Sequence, residues 1–456
     1  MIDIQREIVT ALVVAGVYLL IFLIGENVRR LIPSNTEISR KAVHLLSGLT
    51  ALSFPYLFHS HWTVLALSLS FCAIVFITKR KGILKSVHDV GRKSYGGIYY
   101  PVAVYLIFLL SSTKPVIYFV AILVMAISDT MAALVGGKYG VIKFDVEGNL
   151  KSLEGSIAFF FVTFLCIHLP LLLLTDVGRA ESVLIACIIA LLVTGFEAVS
   201  LSGSDNIIVP FGTYFMLAKF IKQPLNVVVW QTEILLMLIV MGLIMYIRPR
   251  LLKVSGLIVM IMLNYAALSL CNYYWFLPLF LAQIMYYLLI LSFVHYEGTE
   301  KVASFQVKVL FYIAIIPTLF LFLANAYKDH MYFYLPYLTS ITAQLAIIGN
   351  YFAQYVSRPI EADNFLKHHR KILEVVCSTA ATLFIAGMPI YFYKAQHRVN
   401  SLIVVTIGTW VAYILNFMMN KYYRGVKDDI FEYRRRFVSA AIGVVLVFLL
   451  QKLISV

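Results

Sequence analysis

The sequence predicts an all-α integral membrane protein that crosses the bilayer about sixteen times. Three observations carry this reading. The composition is 61% hydrophobic and only 13% charged, against about 45–50% and about 25% in a soluble domain. Apolar runs of near-membrane length recur along the whole chain. The short loops between them hold most of the cations. Backbone surrounded by lipid must satisfy its own hydrogen bonds, so such runs are helices.

In chain order the expected spans are 7–25, 43–58, 62–78, 96–110, 115–137, 153–174, 182–200, 206–222, 229–247, 254–270, 275–294, 309–325, 331–355, 372–393, 400–419 and 437–455. The first follows a non-basic MIDIQRE and precedes no small-residue cleavage site, so it reads as a retained helix and not a signal peptide. Alternate loops fall on one side: 26–42, 79–95, 138–152, 200–205, 248–253, 295–308, 356–371 and 420–436. They hold about 28 of the 37 Lys and Arg residues. The positive-inside rule makes that side cytoplasmic and puts both termini outside. The net charge of +14 therefore reads as topology signal and attraction to anionic headgroups, with no nucleic-acid partner. The five cysteines form no CxxC and no His/Cys cluster, which argues against structural zinc or a disulfide framework.

The chain is organised around residues 126–160. Asp129 interrupts an apolar run, and small residues follow at helical spacing: Ala132, Ala133, Gly136, Gly137 and Gly140. A carboxylate in a membrane-length segment is a candidate functional site. The bare helix face that follows admits another helix or a phosphate chain. Asp129 suits a magnesium ion, which takes one or two carboxylates plus phosphate oxygens. Lys138 and Lys151 suit phosphate, and Ser152, Glu154 and Gly155 open the next run. The bland alternative is a helix-packing face with a buried salt bridge.

Four further stretches share the cytoplasmic level. Arg40, Lys41 and His44 open the second span, with Arg40 and His44 one turn apart. They suit a phosphate or headgroup; a positive-inside anchor is the alternative. Arg92 and Lys93 lie among Gly91, Gly96 and Gly97, a loop whose backbone can approach an anion. Glu197 ends the seventh span, and Asp205-Asn206 open the eighth. Glu197, Asp205 and Asn206 are candidate metal ligands. Asp205 is also a candidate base or a helix N-cap.

From about residue 249 the character changes, with few acids at membrane depth. This divides the chain into a catalytic domain, 1–248, and a C-terminal membrane domain, 249–456, of open role. Matches at an offset of 220 residues, such as Lys151 with Lys371 and Glu154 with Glu374, raise the reading of a degenerate repeat.

RKAVHLLSG, GRKSYGGIYYP, SDTMAALVGGKYG, KSLEGS and EAVSLSGSDNIIVP, in this order between Arg40 and Phe215, resemble the CTP-dependent polyprenol and lipid kinase family. That family includes dolichol kinase, phytol kinase and the CTP-dependent diacylglycerol kinase. The resemblance implies transfer of phosphate from cytosolic CTP, with Mg2+, to the hydroxyl of a lipid alcohol. Asp129 would carry the metal. Asp205 and Asn206 would be further ligands, or Asp205 the base. Arg40, Lys138 and Lys151 would neutralise phosphate, and Glu154 would orient Lys151. The middle motifs are also similar to phosphatidate cytidylyltransferase, which makes a CDP-lipid; a transporter or flippase is the reading from another class. Polar residues gathered at one rim favour an enzyme over a transporter, whose charges lie near the midplane. The oligomeric state leaves no signal in the sequence.

Overall fold

The computed structural model describes residues 4–32, 36–84, 86, 95–111, 114–146, 149–247, 254–297, 307–327, 330–356, 383–392, 398–422 and 429–453. It is all-α apart from one hairpin. The described residues include nine helices long and apolar enough to cross a membrane, with two shorter apolar helices, Gly96–Leu110 and Tyr312–Tyr327. The described parts of the expected spans lie mainly on helix, while 372–393 falls largely outside the described residues. Fewer than sixteen helices reach full crossing length among the described residues. The second span, for instance, is broken into Thr36–Ala51 and Phe54–Leu57.

Two compact units divide at Glu233/Ile234, inside the helix Leu225–Ile247. The first contains α1 (Ile4–Leu31), α2 (Thr36–Ala51), α3 (Phe54–Leu57), α4 (His61–Lys81), α5 (Gly96–Leu110) and α6 (Pro115–Leu123). A π-helical turn, Val124–Ser128, joins α6 to α7 (Asp129–Tyr139). Strands β1 (Lys143–Val146) and β2 (Asn149–Ser152) follow, then α8 (Leu153–Leu174), α9 (Arg179–Val199), α10 (Asp205–Phe220) and α11 (Leu225–Ile247).

Helix α1 shows how such a segment sorts its faces. Val14, Tyr18, Ile21, Phe22 and Gly25 are buried at helical spacing. Ile8, Leu12, Leu19 and Leu23 are exposed on the other side, where lipid tails cover them without cost. The centre of the unit is the π turn: Val124, Met125, Ala126 and Ser128 are all at most 1% exposed. Helices α2, α8 and α10 all pack against it.

The stretch after α7, read from the sequence as a plain polar loop, is an antiparallel hairpin. Lys143 pairs with Ser152, Phe144 with Lys151, Asp145 with Leu150 and Val146 with Asn149. Val146 is fully buried while Leu150 is 70% exposed, so alternation along the strands gives the hairpin an inner and an outer face.

The second unit holds the remainder of α11 with α12 (Val254–Ala266), a π turn at Ala267–Cys271, α13 (Tyr273–Glu297), α14 (Val307–Tyr327) and α15 (His330–Val356). A further π turn, Leu383–Gly387, leads into α16 (Met388–Phe392), followed by α17 (Arg398–Tyr422) and α18 (Asp429–Leu453). Its core is aromatic. Trp275 is fully buried between Tyr334 and Tyr337, and the Tyr337 hydroxyl donates to the Trp275 carbonyl at 2.5 Å. Helix α15 packs against α13, α14, α17 and α18. Of the suggested repeat, Lys371 and Glu374 fall outside the described residues.

Candidate functional site

The site begins with the π turn. A π turn carries more residues per turn than an α-helix and recurs at functional sites. Here it ends directly before Asp129. Helix α2 brings Lys41, His44, Gly48 and Ala51 along one stripe at spacings of three and four residues, the face that packs on the turn and α7. Lys41 Nζ donates to Asp129 Oδ2 at 2.6 Å and to the Asp129 carbonyl at 3.1 Å. His44 Nε2 donates to the Met125 carbonyl at 3.0 Å and sits 3.4 Å from Asp129 Oδ2. Lys41 is 3% exposed and Asp129 9%. A charge buried this deeply needs its counter-ion, since an isolated one is strongly destabilising.

Arg40, one residue earlier, faces differently. It forms a two-pronged ion pair with Glu37 on the preceding turn and interacts electrostatically with both Asp129 and Asp205. Burial would raise the Glu37 carboxyl, but hydrogen bonding and charge from Arg40 outweigh it and hold that group below its usual range.

Two other motifs meet at the start of α5. The Tyr95 amide donates to the Ser202 carbonyl at 2.9 Å, and Asn206 Nδ2 donates to the Gly96 carbonyl at 3.1 Å. Ser202 holds φ at +54° and Gly203 at +86°. A left-handed serine is uncommon and marks a turn fixed by its surroundings. Asp205 follows in the first turn of α10. Its Oδ1 is buried without a hydrogen-bond partner among the described residues, so the side chain is not spent as a cap.

Lys151 is held by Glu197, through Oε1 at 2.7 Å and through its carbonyl, and by Ser200 Oγ at 3.1 Å. The expected partner, Glu154, instead accepts from the Ile142 amide at 3.0 Å. Lys151 lies on β2, one residue before α8 is capped, and the strand carries it toward the end of α9. Glu197, expected as a metal ligand, is thus engaged by a lysine.

The small residues have separate uses. Ser152 Oγ caps α8 by accepting from the Gly155 amide at 3.1 Å. A Cβ on Gly155 would meet the Ala132 carbonyl and Ser152 Oγ at 3.0 Å and Gly136 Cα at 3.2 Å. Gly136 and Gly155 are therefore what let α7 and α8 approach. Gly137 has open space where its Cβ would be, which leaves its backbone approachable. Lys138 is exposed and lies over the Tyr139 ring. Arg92 and Lys93 lie outside the described residues.

The structure thus brings together Arg40, Lys41, His44 and Asp129, brings Asp205 within range of Arg40, and joins Lys151 to Glu197. Among the described residues no three His, Cys, Asp or Glu side chains gather as a metal cage. Magnesium does not require one, because phosphate oxygens and water fill most of its octahedron. Asp129 and Asp205, both in electrostatic reach of Arg40, are the carboxylates available to such an ion. Sequence reasoning missed Glu37, Ser200 and the Met125 carbonyl. Only Glu37 left a signal, three residues before Arg40 on a helix.

Known proteins are similar to this chain in sequence. The chain is 32% identical over 195 residues to the phytol kinase of the cyanobacterium Synechocystis, covering 42% of this chain and 83% of that protein. It is 30% identical over 233 residues to a probable chloroplastic phytol kinase 2 of Glycine max, covering 48% and 76%. It is 30% identical over 244 residues to a probable chloroplastic phytol kinase of Zea mays, covering 48% and 77%. Neither a protein-family model nor a solved structure matches. The chain belongs to the phytol kinase family of polyprenol and lipid kinases.

Proposed function

We propose that this chain phosphorylates the hydroxyl of a lipid alcohol, using CTP and Mg2+ at the cytoplasmic rim of its first 248 residues. The observation that carries the reading is the cluster of Arg40, Lys41, His44 and Asp129, with Asp205 in range of Arg40. Phosphoryl transfer asks a protein mainly for positioning and charge stabilisation. A cationic cluster around Asp129, with Asp205 in electrostatic reach of Arg40, would supply both.

When bound, magnesium would supply positive charge against the transferring phosphate. Asp129 and Asp205 are the side chains that would hold it. Lys41 now balances Asp129, and with a metal there it would turn toward phosphate. Arg40, which interacts electrostatically with both acids, would face the triphosphate. Alternatively, Asp129 alone would hold the metal and the unpartnered oxygen of Asp205 would accept the hydroxyl proton of the lipid. Lys151, oriented by Glu197 and Ser200, would bind the nucleotide's outer phosphates. Arg92, Lys93 and Lys138 would contribute cationic surroundings, and the Gly137 backbone would line the phosphate path. The alkyl chain would approach between helices from the bilayer, with both termini extracytoplasmic.

Incubating the purified protein with labelled CTP and a panel of lipid alcohols, diacylglycerol and phosphatidate tests this. The expected products are a lipid monophosphate and CDP, and both disappear with EDTA. Release of pyrophosphate with formation of a CDP-lipid would assign the chain to the cytidylyltransferase chemistry instead.

A further inference from the structure

Arg40 has more donors than its contacts use. A guanidinium carries five N–H donors in a fixed planar fork. Glu37 takes one edge of it: Arg40 Nε donates to Glu37 Oε2 at 3.1 Å, and Nη2 donates to Oε1. Among the described residues Arg40 makes no other hydrogen bond. Its Nη1 is unbonded and keeps contact with solvent, and the side chain as a whole is 23% exposed. One edge of the guanidinium is therefore held. A second edge, formed by Nη1 and the remaining hydrogen of Nη2, is open.

Stability does not account for this arrangement. The Glu37 side chain is 44% exposed, and an ion pair between helix neighbours at such exposure is worth little. Glu37 also stands in the field of Asp129, so the acid repels it, and it would repel a phosphate in turn. The neighbouring Lys41 gives its hydrogen bonds to Asp129 instead. What Glu37 does here is fix the plane of the Arg40 guanidinium.

We infer that Glu37 is a positioning residue: it grips Arg40 side-on and so presents the open edge of the guanidinium to the phosphate chain of the nucleotide. The inference rests on the reading of Arg40 as a phosphate ligand. Two parallel N–H groups on one edge match two phosphate oxygens. A flexible side chain loses rotamer freedom when it binds, and Glu37 orders this one beforehand. A carboxylate that only competed with phosphate for Arg40 would act in the opposite direction, and its removal would tighten binding.

Phosphate binding, not turnover, is the readout. Inorganic tripolyphosphate with Mg2+ is titrated by calorimetry into the full-length protein in detergent, with nucleotide and lipid alcohol withheld. Glu37→Ala should weaken binding about 3- to 10-fold, the cost of ordering one flexible side chain, while the melting temperature moves by no more than about 2 °C. Glu37→Gln keeps one acceptor for the guanidinium and should recover part of the loss. In an Arg40→Lys background no planar fork is left to hold, and Glu37→Ala should change binding by less than about twofold. Where Glu37→Ala loses its folded form, the same comparison with Glu37→Gln decides. Tighter or unchanged binding on loss of Glu37, an equal loss in the Arg40→Lys background, or a wild-type protein that binds no tripolyphosphate would overturn the inference. Failure of the kinase reading shows elsewhere, as a wild-type protein that binds tripolyphosphate yet forms no lipid monophosphate from CTP.

Discussion

Lys41 grips Asp129 twice, through the carboxylate at 2.6 Å and through the main-chain carbonyl at 3.1 Å. The lysine therefore fixes both the charge of this residue and the backbone that leaves the π turn. Removing either side chain acts on the other, and stability and catalysis can be separated by removing both.

Lys41→Met leaves a buried carboxylate with His44 at 3.4 Å and Arg40 acting only through its field. Breaking a buried pair from one side costs about 3–5 kcal/mol, so a large drop in melting temperature is expected. Lys41→Met combined with Asp129→Asn should recover much of that loss and remain inactive. Thermal unfolding of the three variants in detergent checks the pattern; a double variant no more stable than Lys41→Met would contradict the pairing as the source.

Asp129→Asn alone keeps a hydrogen-bond acceptor for Lys41 but loses the charge. Turnover should fall on the order of a thousandfold or more, with insertion into the membrane retained. Near-normal kcat in a well-expressed variant would remove Asp129 from the chemistry.

The two ends of the glycine stretch should respond oppositely to alanine. Gly155→Ala forces a Cβ against Gly136 and the Ala132 carbonyl, and such overpacking costs typically about 1–3 kcal/mol. Gly137→Ala meets nothing within 4 Å and should gain about 0.5–1 kcal/mol from helix propensity. A fall in activity of Gly137→Ala despite its higher melting temperature would mark the position as one that ligand approaches.

Lys151→Ala should raise KM for CTP about 10- to 150-fold, the worth of a charge-assisted contact of about 1.5–3 kcal/mol. Lys371→Ala, at the matching offset, should leave kinetics near normal because no acid corresponds to Asp129 there: Gly349 stands in its place. Comparable losses in both variants would mean that both halves build the active site.

Cysteine introduced at Leu150, 70% exposed on the hairpin, reports sidedness in a background without the five native cysteines. A membrane-impermeant maleimide should label it only after permeabilisation. Labelling in intact cells would invert the topology.

Much of the first unit was legible because its signals are local. Apolar length announced the helices, and an acid inside one announced Asp129. Motif order hinted that distant polar stretches meet, but their pairing is a property of packing. The sequence put Glu154 beside Lys151, since both fall where the next apolar run opens. The fold gives Lys151 to Glu197, because β2 is extended there and its side chains alternate where a helix would stack them. The π turn left no mark in the apolar pattern, which is uniform through residues 115–127 and blind to backbone register.

That turn carries a consequence for how this chain is compared with others. Each residue of an α-helix advances the face by about 100°, so deleting one residue from Val124–Ser128 would swing Asp129 and the glycines after it away from Lys41. A relative that keeps a regular α-helix here would need a one-residue gap in its alignment for the acids to correspond. Pairing the two chains without that gap would match Asp129 with a lipid-facing neighbour, and an intact site would be scored as lost.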